Sequence, residues 1–161
     1  MLTSATNAAN DLLSRYHGRT LSRSQLLEAH QVQKLSLTLN RKDLHSNLPV
    51  ASSPPNDGTP IPPCYHLVYF TPATIEEELG TDGTDRTFNP STPFSRRMWA
   101  GGKIRWEREN LLRVGQLVEE KTMLVAATVK KSRDGHEMIL VDVEKQLWNR
   151  NGLSLVDQRS V

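Results

Sequence analysis

The 161-residue sequence holds a single cysteine, Cys64, so it cannot form an internal disulfide, which points to a reducing compartment. It has no proline before Pro49 and none after Pro93; all nine fall between them. Proline removes a backbone donor and breaks helices and strand ladders. The sequence is therefore free to be helical over residues 1–48, is confined to turns and extended segments over 49–93, and can carry long strands over 94–161. There is no excess of one charge: 20 Lys and Arg against 18 Asp and Glu give a net charge of +2, which excludes the basic footprint of a dedicated nucleic-acid binder. No apolar run approaches the ~20 residues that a membrane-crossing helix needs. No repeat occurs at a period of roughly 20–50 residues. What is left fits one domain, since domains commonly run about 100–200 residues, and a chain of this size can bury a core without metal or disulfide.

The first twenty residues, MLTSATNAANDLLSRYHGRT, carry several hydroxyl side chains, Arg15, Arg19 and one acid, Asp11. A mitochondrial targeting leader and an ordinary frayed or helical N-terminus both fit. From Ser22 the spacing predicts a helix to about Leu37, with Ser22 and Gln25 as a capping box and Ala29, Val32, Leu35, Ser36 and Leu39 along one stripe. Residues 41–62 read as a long polar loop that is either mobile or wrapped on the surface. Tyr65–Phe70 is short, aromatic and apolar, as a strand would be. Residues 103–108 alternate, and residues 116–131 and 136–148 are two strand-length runs joined by Asp134–Gly135. Asn151–Gly152 then turns into Leu153–Val156. Met138 to Val141 form an unbroken apolar run, implying cover on both faces, whereas Val118, Met123, Val125 and Val129 alternate with Glu119, Glu120, Lys121, Thr122 and Lys130, as in a sheet with one wet face. The class is α+β: an antiparallel meander with an earlier helix.

The residues that can carry chemistry are few. His17, His30, His45, His66 and His136 show no metal-binding spacing, and no cysteine pair exists, so neither a metal nor another cofactor is implied. His66, in an apolar segment beside Cys64, is the histidine suited to a buried role; on a strand, Cys64 and His66 would share a face, yet no third group marks a nucleophile. Gly101–Gly102 is followed by neither a further Gly nor Lys-Ser/Thr, so no phosphate loop is present. Arg96 and Arg97 with Trp99 can grip a phosphate and stack on an adenine, or can simply be a solvated strand end.

The string PFSRRMWAGG (Pro93–Gly102), preceded by HLVYFTP and ELGTDGTD and followed by LLRVGQLVEEKT, resembles the N-terminal half of the MaoC-like two-hot-dog hydratases and dehydratases. These include the fungal mitochondrial hydroxyacyl-thioester dehydratase type 2 and the mesaconyl-C4-CoA hydratases. QKLSLTLNR (Gln33–Arg41) and EKQLWNRNGLSLVDQRS (Glu144–Ser160) fit as well, so the resemblance runs from about Leu21 to Ser160. It implies a single hot-dog fold, an antiparallel sheet wrapped around one helix, with residues 1–20 as a leader, residues 21–161 as the domain and residues 41–62 as its long loop. It further implies reversible addition or loss of water across the 2,3 bond of a (3R)-hydroxyacyl thioester, carried by coenzyme A or acyl carrier protein, in fatty-acid or acyl-CoA metabolism. In the family an Asp–His pair performs this chemistry, and in the two-hot-dog members that pair belongs to the C-terminal hot dog. The sequence contains no match to it: Asp85–Pro90 echoes the D-x-N-P signature with the wrong spacing and reads as turn chemistry. The resemblance thus implies no catalytic residue here, with the catalytic hot dog lying outside the sequence. Substrate would be bound by Arg96, Arg97, Met98, Trp99, Gly101, Gly102 and His66. The partner would be a second hot-dog domain or a second copy, and the location mitochondrial, otherwise cytoplasmic. The alternative is an acyl-thioester-binding or dimerisation module with no enzymatic role. Cys64 stands where the family usually has a glycine after its Pro-Pro pair, which makes the backbone conformation at that position a question for the structure.

Overall fold

A computed structural model describes residues 4–80 and 83–161. Helix α1 (Ser4–Tyr16) is followed by strand β1 (Thr20–Leu26), helix α2 (Ala29–Thr38) and a small hairpin of β2 (Asp43–His45) and β3 (Leu48–Pro49). After the proline-bearing segment come β4 (Gly101–Trp106), β5 (Leu117–Lys131), β6 (Glu137–Asn149) and β7 (Gly152–Ser160). Five strands form one antiparallel sheet in the order β1-β5-β6-β7-β4. The expected α+β class holds, with the long strands where proline is absent. Among the described residues no helix is long and apolar enough to cross a membrane.

Strand alternation decides which side of this sheet is covered. Val118, Glu120, Thr122 and Leu124 of β5 share one face, and the register sets Leu147, Lys145 and Val143 of β6 opposite the last three. Leu155, Asp157 and Arg159 of β7 continue the same rows. On this face α2 buries Val32 and Ser36 against Val118, Leu147 and Leu155, with Tyr65, Tyr69 and Phe70 filling the remaining space. Helix α1 covers the far end of the same face, where Leu12 meets Leu124, Val141 and Val143. Its Ala5, Ala8, Ala9 and Leu12 lie at i, i+3, i+4 and i+7, a narrow stripe whose small side chains let the helix approach the strands closely. Among the described residues no helix lies on the opposite face. A bulge between Leu124 and Ala126 re-aims the end of β5 there, and Met138 lies exposed while Val141 is buried, so the Met138–Val141 run is sealed on one side only.

Two expected elements are replaced. Thr20–Leu26 is a strand, not the start of a helix: pairing with Met123–Leu117 along seven positions outweighs a local cap. Gln25 instead accepts a hydrogen bond from the Phe70 amide at 2.6 Å, and α2 begins after Glu28 with no side-chain cap. Tyr65–Val68 is a short 3-10 turn, not a strand. Pro62 and Pro63 offer no amide donors for a ladder, and Cys64 reverses the chain, so Tyr65 drops into the core to meet Ser36 at 3.0 Å while Cys64 stays exposed. Cys64 and His66 therefore point in different directions, contrary to the strand expectation. Residues 41–62 wrap the surface rather than hang free, anchored by buried Leu44, Val50 and Ile61.

Cys64 has φ 69° and ψ −9°, the left-handed conformation a glycine takes without cost. A side chain there costs about 1–2 kcal/mol, and glycine returns part of this as greater unfolded-state freedom, about 0.5–1 kcal/mol. Cys64→Gly is therefore expected to raise stability by about 0.5 kcal/mol, read as a higher urea midpoint; a lower midpoint would show that the thiol contributes packing that the exposed position does not suggest.

Candidate functional site

The segment Arg96–Gly102 forms the approach to β4 and lies on the surface. Arg96, Arg97, Met98 and Trp99 are all exposed, Trp99 at 64%. The Arg97 guanidinium donates to the backbone carbonyl of Asp85 at 2.9 Å and to the Asn89 side-chain carbonyl, tying this segment to the preceding turn. That turn is closed by Asp85, whose carboxylate accepts from the Thr87 amide at 2.9 Å and the Thr87 hydroxyl at 2.6 Å, the turn chemistry expected of Asp85–Pro90. The Trp99 indole lies against Gly102: a Cβ at that position would come within 2.8 Å of the ring and of the Gln158 carbonyl. Glycine is thus needed for Trp99 to rest on the strand. Beside it runs an open groove of about 500 Å³ bordered by Gly102, Lys103, Leu140, Asp142, Arg159 and Ser160.

His66 is elsewhere. It is 5% exposed, packed edge-on to Trp106 at 6.4 Å between ring centres, with its Nε2 3.8 Å from Asp157, itself 2% exposed. That separation is beyond hydrogen-bond reach, and among the described residues neither ring nitrogen of His66 has a hydrogen-bond partner. The direct partner of Asp157 is Arg159, which donates through Nε at 2.8 Å and Nη2 at 2.5 Å. Burial pushes the Asp157 carboxyl up, but the adjoining His66 and the two Arg159 nitrogens that donate to Oδ2 outweigh it and hold the carboxyl below its usual value. The structure therefore brings Arg96, Arg97, Met98, Trp99, Gly101 and Gly102 into one surface strip and leaves His66 in the core.

The sequence reading passed over Asp157 and its neighbours. A band of ionic side chains crosses the covered face: Glu120, 6% exposed, accepts from Arg23 and Lys145, whose nitrogens are 2.8 and 3.1 Å away. Arg23 also donates to the carbonyls of Thr71, at 3.1 Å, and Phe70, and its guanidinium lies 5.7 Å from the centre of the Phe70 ring. It thereby clamps the turn that carries His66 onto the edge of the sheet. Tyr69 in that turn donates to the Glu28 carbonyl at 2.6 Å, and burial, with Glu28 nearby, raises its phenol well above the usual value. The available signal was the alternation Leu155-x-Asp157-x-Arg159, which sets a carboxylate and a guanidinium on the face of a buried strand.

A sheet of long antiparallel strands packed over a helix is the architecture of a hot-dog protein. Residues 64–161 match the hydroxyacyl-thioester dehydratase type 2 family, and the chain belongs to that family of hot-dog hydratases and dehydratases. A mesaconyl-C4-CoA hydratase of Chloroflexus aurantiacus is 30% identical over 112 residues, covering 68% of this chain and 39% of the relative. The chain therefore spans about two fifths of the length of that curated relative. Among solved structures, a MaoC-like dehydratase from Rhodospirillum rubrum aligns over 89% of both chains with 13% identity and a TM-score of 0.48. An unliganded R-hydratase from Pseudomonas aeruginosa aligns over 89% of this chain and 78% of its own, with 8% identity and a TM-score of 0.44.

Proposed function

We propose that this chain supplies the non-catalytic, substrate-binding half of a (3R)-hydroxyacyl-thioester dehydratase or enoyl-thioester hydratase, completed by a second hot-dog unit that brings the acid–base pair. The observation that carries this reading is the state of His66 and Asp157. Hydration needs an imidazole and a carboxylate within reach of the reacting carbons, and the one imidazole that lies within 4 Å of a carboxylate among the described residues is sealed in the core, with Arg159 on that carboxylate. The surface strip has a different chemistry: exposed Arg96 fits a phosphate, exposed Trp99 fits a flat base, and Arg97 holds the strip in place. Those are the groups that the carrier end of a coenzyme A thioester presents.

The test follows the loss of enoyl absorbance of a 2-enoyl-CoA. The chain alone gives no rate above background, and adding a separately expressed C-terminal hot dog from a two-hot-dog relative restores turnover. Turnover by the chain alone would overturn the reading and make His66 the first base to examine. In the reconstituted pair, Trp99→Ala and Arg96→Ala are each expected to weaken binding of an acyl-CoA about five- to tenfold, the loss of one stacking or charge-assisted contact. Unchanged affinity in both, measured by titration calorimetry, removes the strip from the binding site.

A further inference from the structure

Among the described residues, the apolar side chains buried on the covered face form two clusters. The larger lies under α2. The smaller is closed by α1, where Leu12 meets Leu124, Val141 and Val143. Between them lies the polar row of Thr122, Lys145 and Asp157, paired across β5, β6 and β7. The hold of α1 is therefore local. It rests on three alanines and one leucine, in a helix of 13 residues that is marginal on its own in water. Such an element opens at far lower cost than the sheet unfolds.

The strip Arg96–Gly102 is fastened to this small cluster by two routes. In the first, Arg97 donates to the Asp85 carbonyl at 2.9 Å and to the Asn89 side chain. Phe88, next to Asn89, turns its ring back to α1 and meets Tyr16 edge-on, with ring centres 5.0 Å apart and planes at 67°. In the second, the Ala100 amide donates to the Ser160 carbonyl at 2.9 Å. The following residue, Val161, exchanges both backbone hydrogen bonds with Val141, at 2.8 and 3.0 Å. Tyr16, Phe88 and Val161 all pack on the cluster that Leu12 closes.

We propose that α1 and the strip form one coupled unit, joined by Phe88 as a positioning residue. Docked α1 seats Phe88, Phe88 fixes the turn to which Arg97 is tied, and the strip is kept ready for its ligand. Coupling of this kind is reciprocal: a ligand on the strip tightens α1, and loosening α1 weakens the ligand. The proposal rests on the reading above for the identity of that ligand, the carrier end of a coenzyme A thioester. It adds what regulates the site, namely whether residues 4–16 lie on the sheet.

The test is hydrogen–deuterium exchange of the full chain, read by mass spectrometry on peptides from α1, with peptides from the β6–β7 hairpin as the reference for an intact fold. Without ligand, Phe88→Ala is expected to speed exchange in α1 about five- to tenfold, and Phe88→Tyr, which keeps the ring, to restore the wild-type rate. Arg97→Ala, a change in the strip, is expected to speed exchange in α1 about threefold. The double variant F88A/R97A exchanges no faster than Phe88→Ala, because both substitutions cut one tie. Saturating coenzyme A slows exchange in α1 at least about threefold, and Phe88→Ala weakens coenzyme A by a similar factor in titration calorimetry. An α1 that exchanges at the wild-type rate in Arg97→Ala, or independent effects in the double variant, would overturn the coupling. The parent reading fails separately. Coenzyme A that Trp99→Ala weakens, but that leaves α1 exchange unchanged, keeps the strip as the ligand site and removes the coupling. No binding of coenzyme A, with α1 still loosened by Arg97→Ala, keeps the coupling and removes the strip as the carrier site.

Discussion

Asp157→Ala is expected to cost about 2–3 kcal/mol of folding stability, one of the two largest effects foreseen for a single position in this chain. Asp157 is 2% exposed and is bonded twice by Arg159. Removing one member of a buried pair leaves the other charge without its partner, which typically costs about 3–5 kcal/mol. The Arg159 side chain is 31% exposed and can turn part of its guanidinium to water, which reduces the loss. Asp157→Asn keeps the shape but not the charge and is expected to cost about 1–2 kcal/mol. The pH dependence has a definite sign. Because the folded carboxyl is held below its unfolded value of about 3.9, the contribution is fully present above that value and is lost as the pH falls through the lowered folded value. The gap between wild type and Asp157→Asn in urea denaturation should thus be level from about pH 5 to 8 and close below about pH 4. A gap that widens on acidification would mean that the carboxyl is destabilised in the folded protein.

The long strands were the most legible part of this fold, and for a physical reason. β5, β6 and β7 are contiguous, joined by turns at Asp134–Gly135 and Asn151–Gly152, and free of proline, so local pattern and tertiary pairing agree. Where they disagree, the pattern misled. Ser22 and Gln25 have the spacing of a cap, but β5 offers β1 a seven-residue ladder, and no local signal reports a partner a hundred residues away. Tyr65–Phe70 has the composition of a strand, yet its aromatic side chains are used as plugs for the core from a turn whose conformation is set by Cys64. The candidate site divides in the same way. Residues 96–102 are contiguous, so the strip was visible as a string. Glu120 and Lys145 looked like the wet positions of alternating strands, because alternation says which residues share a face and not whether that face meets water or a clamp such as Arg23. The family resemblance supplied the hot-dog fold and the hydratase and dehydratase family, and the left-handed Cys64 answers the question it raised: the backbone takes the conformation that suits a glycine although a cysteine stands there.

The Glu120–Lys145 pair gives the second large effect, and a sharper one, because its two members should fail separately and succeed together. Glu120→Leu leaves the Lys145 ammonium, whose side chain is 20% exposed, on the covered face without the carboxylate 3.1 Å away, and is expected to cost about 2–3 kcal/mol. Lys145→Met leaves Glu120 with Arg23 alone and is expected to cost about 1–2 kcal/mol. The double variant removes both desolvated charges and fills their space with apolar volume, a replacement that is often neutral or stabilising. Arg23 is the group that decides whether this works. Its side chain is 39% exposed and retains its bonds to the Phe70 and Thr71 carbonyls, so losing Glu120 does not leave it unsatisfied. The double variant is therefore expected within about 1 kcal/mol of wild type, a coupling of at least about 2 kcal/mol for residues in direct contact. Additive losses in urea denaturation would show instead that Glu120 acts mainly through Arg23, and that the clamp from β1 onto the turn bearing His66 is what the carboxylate holds together.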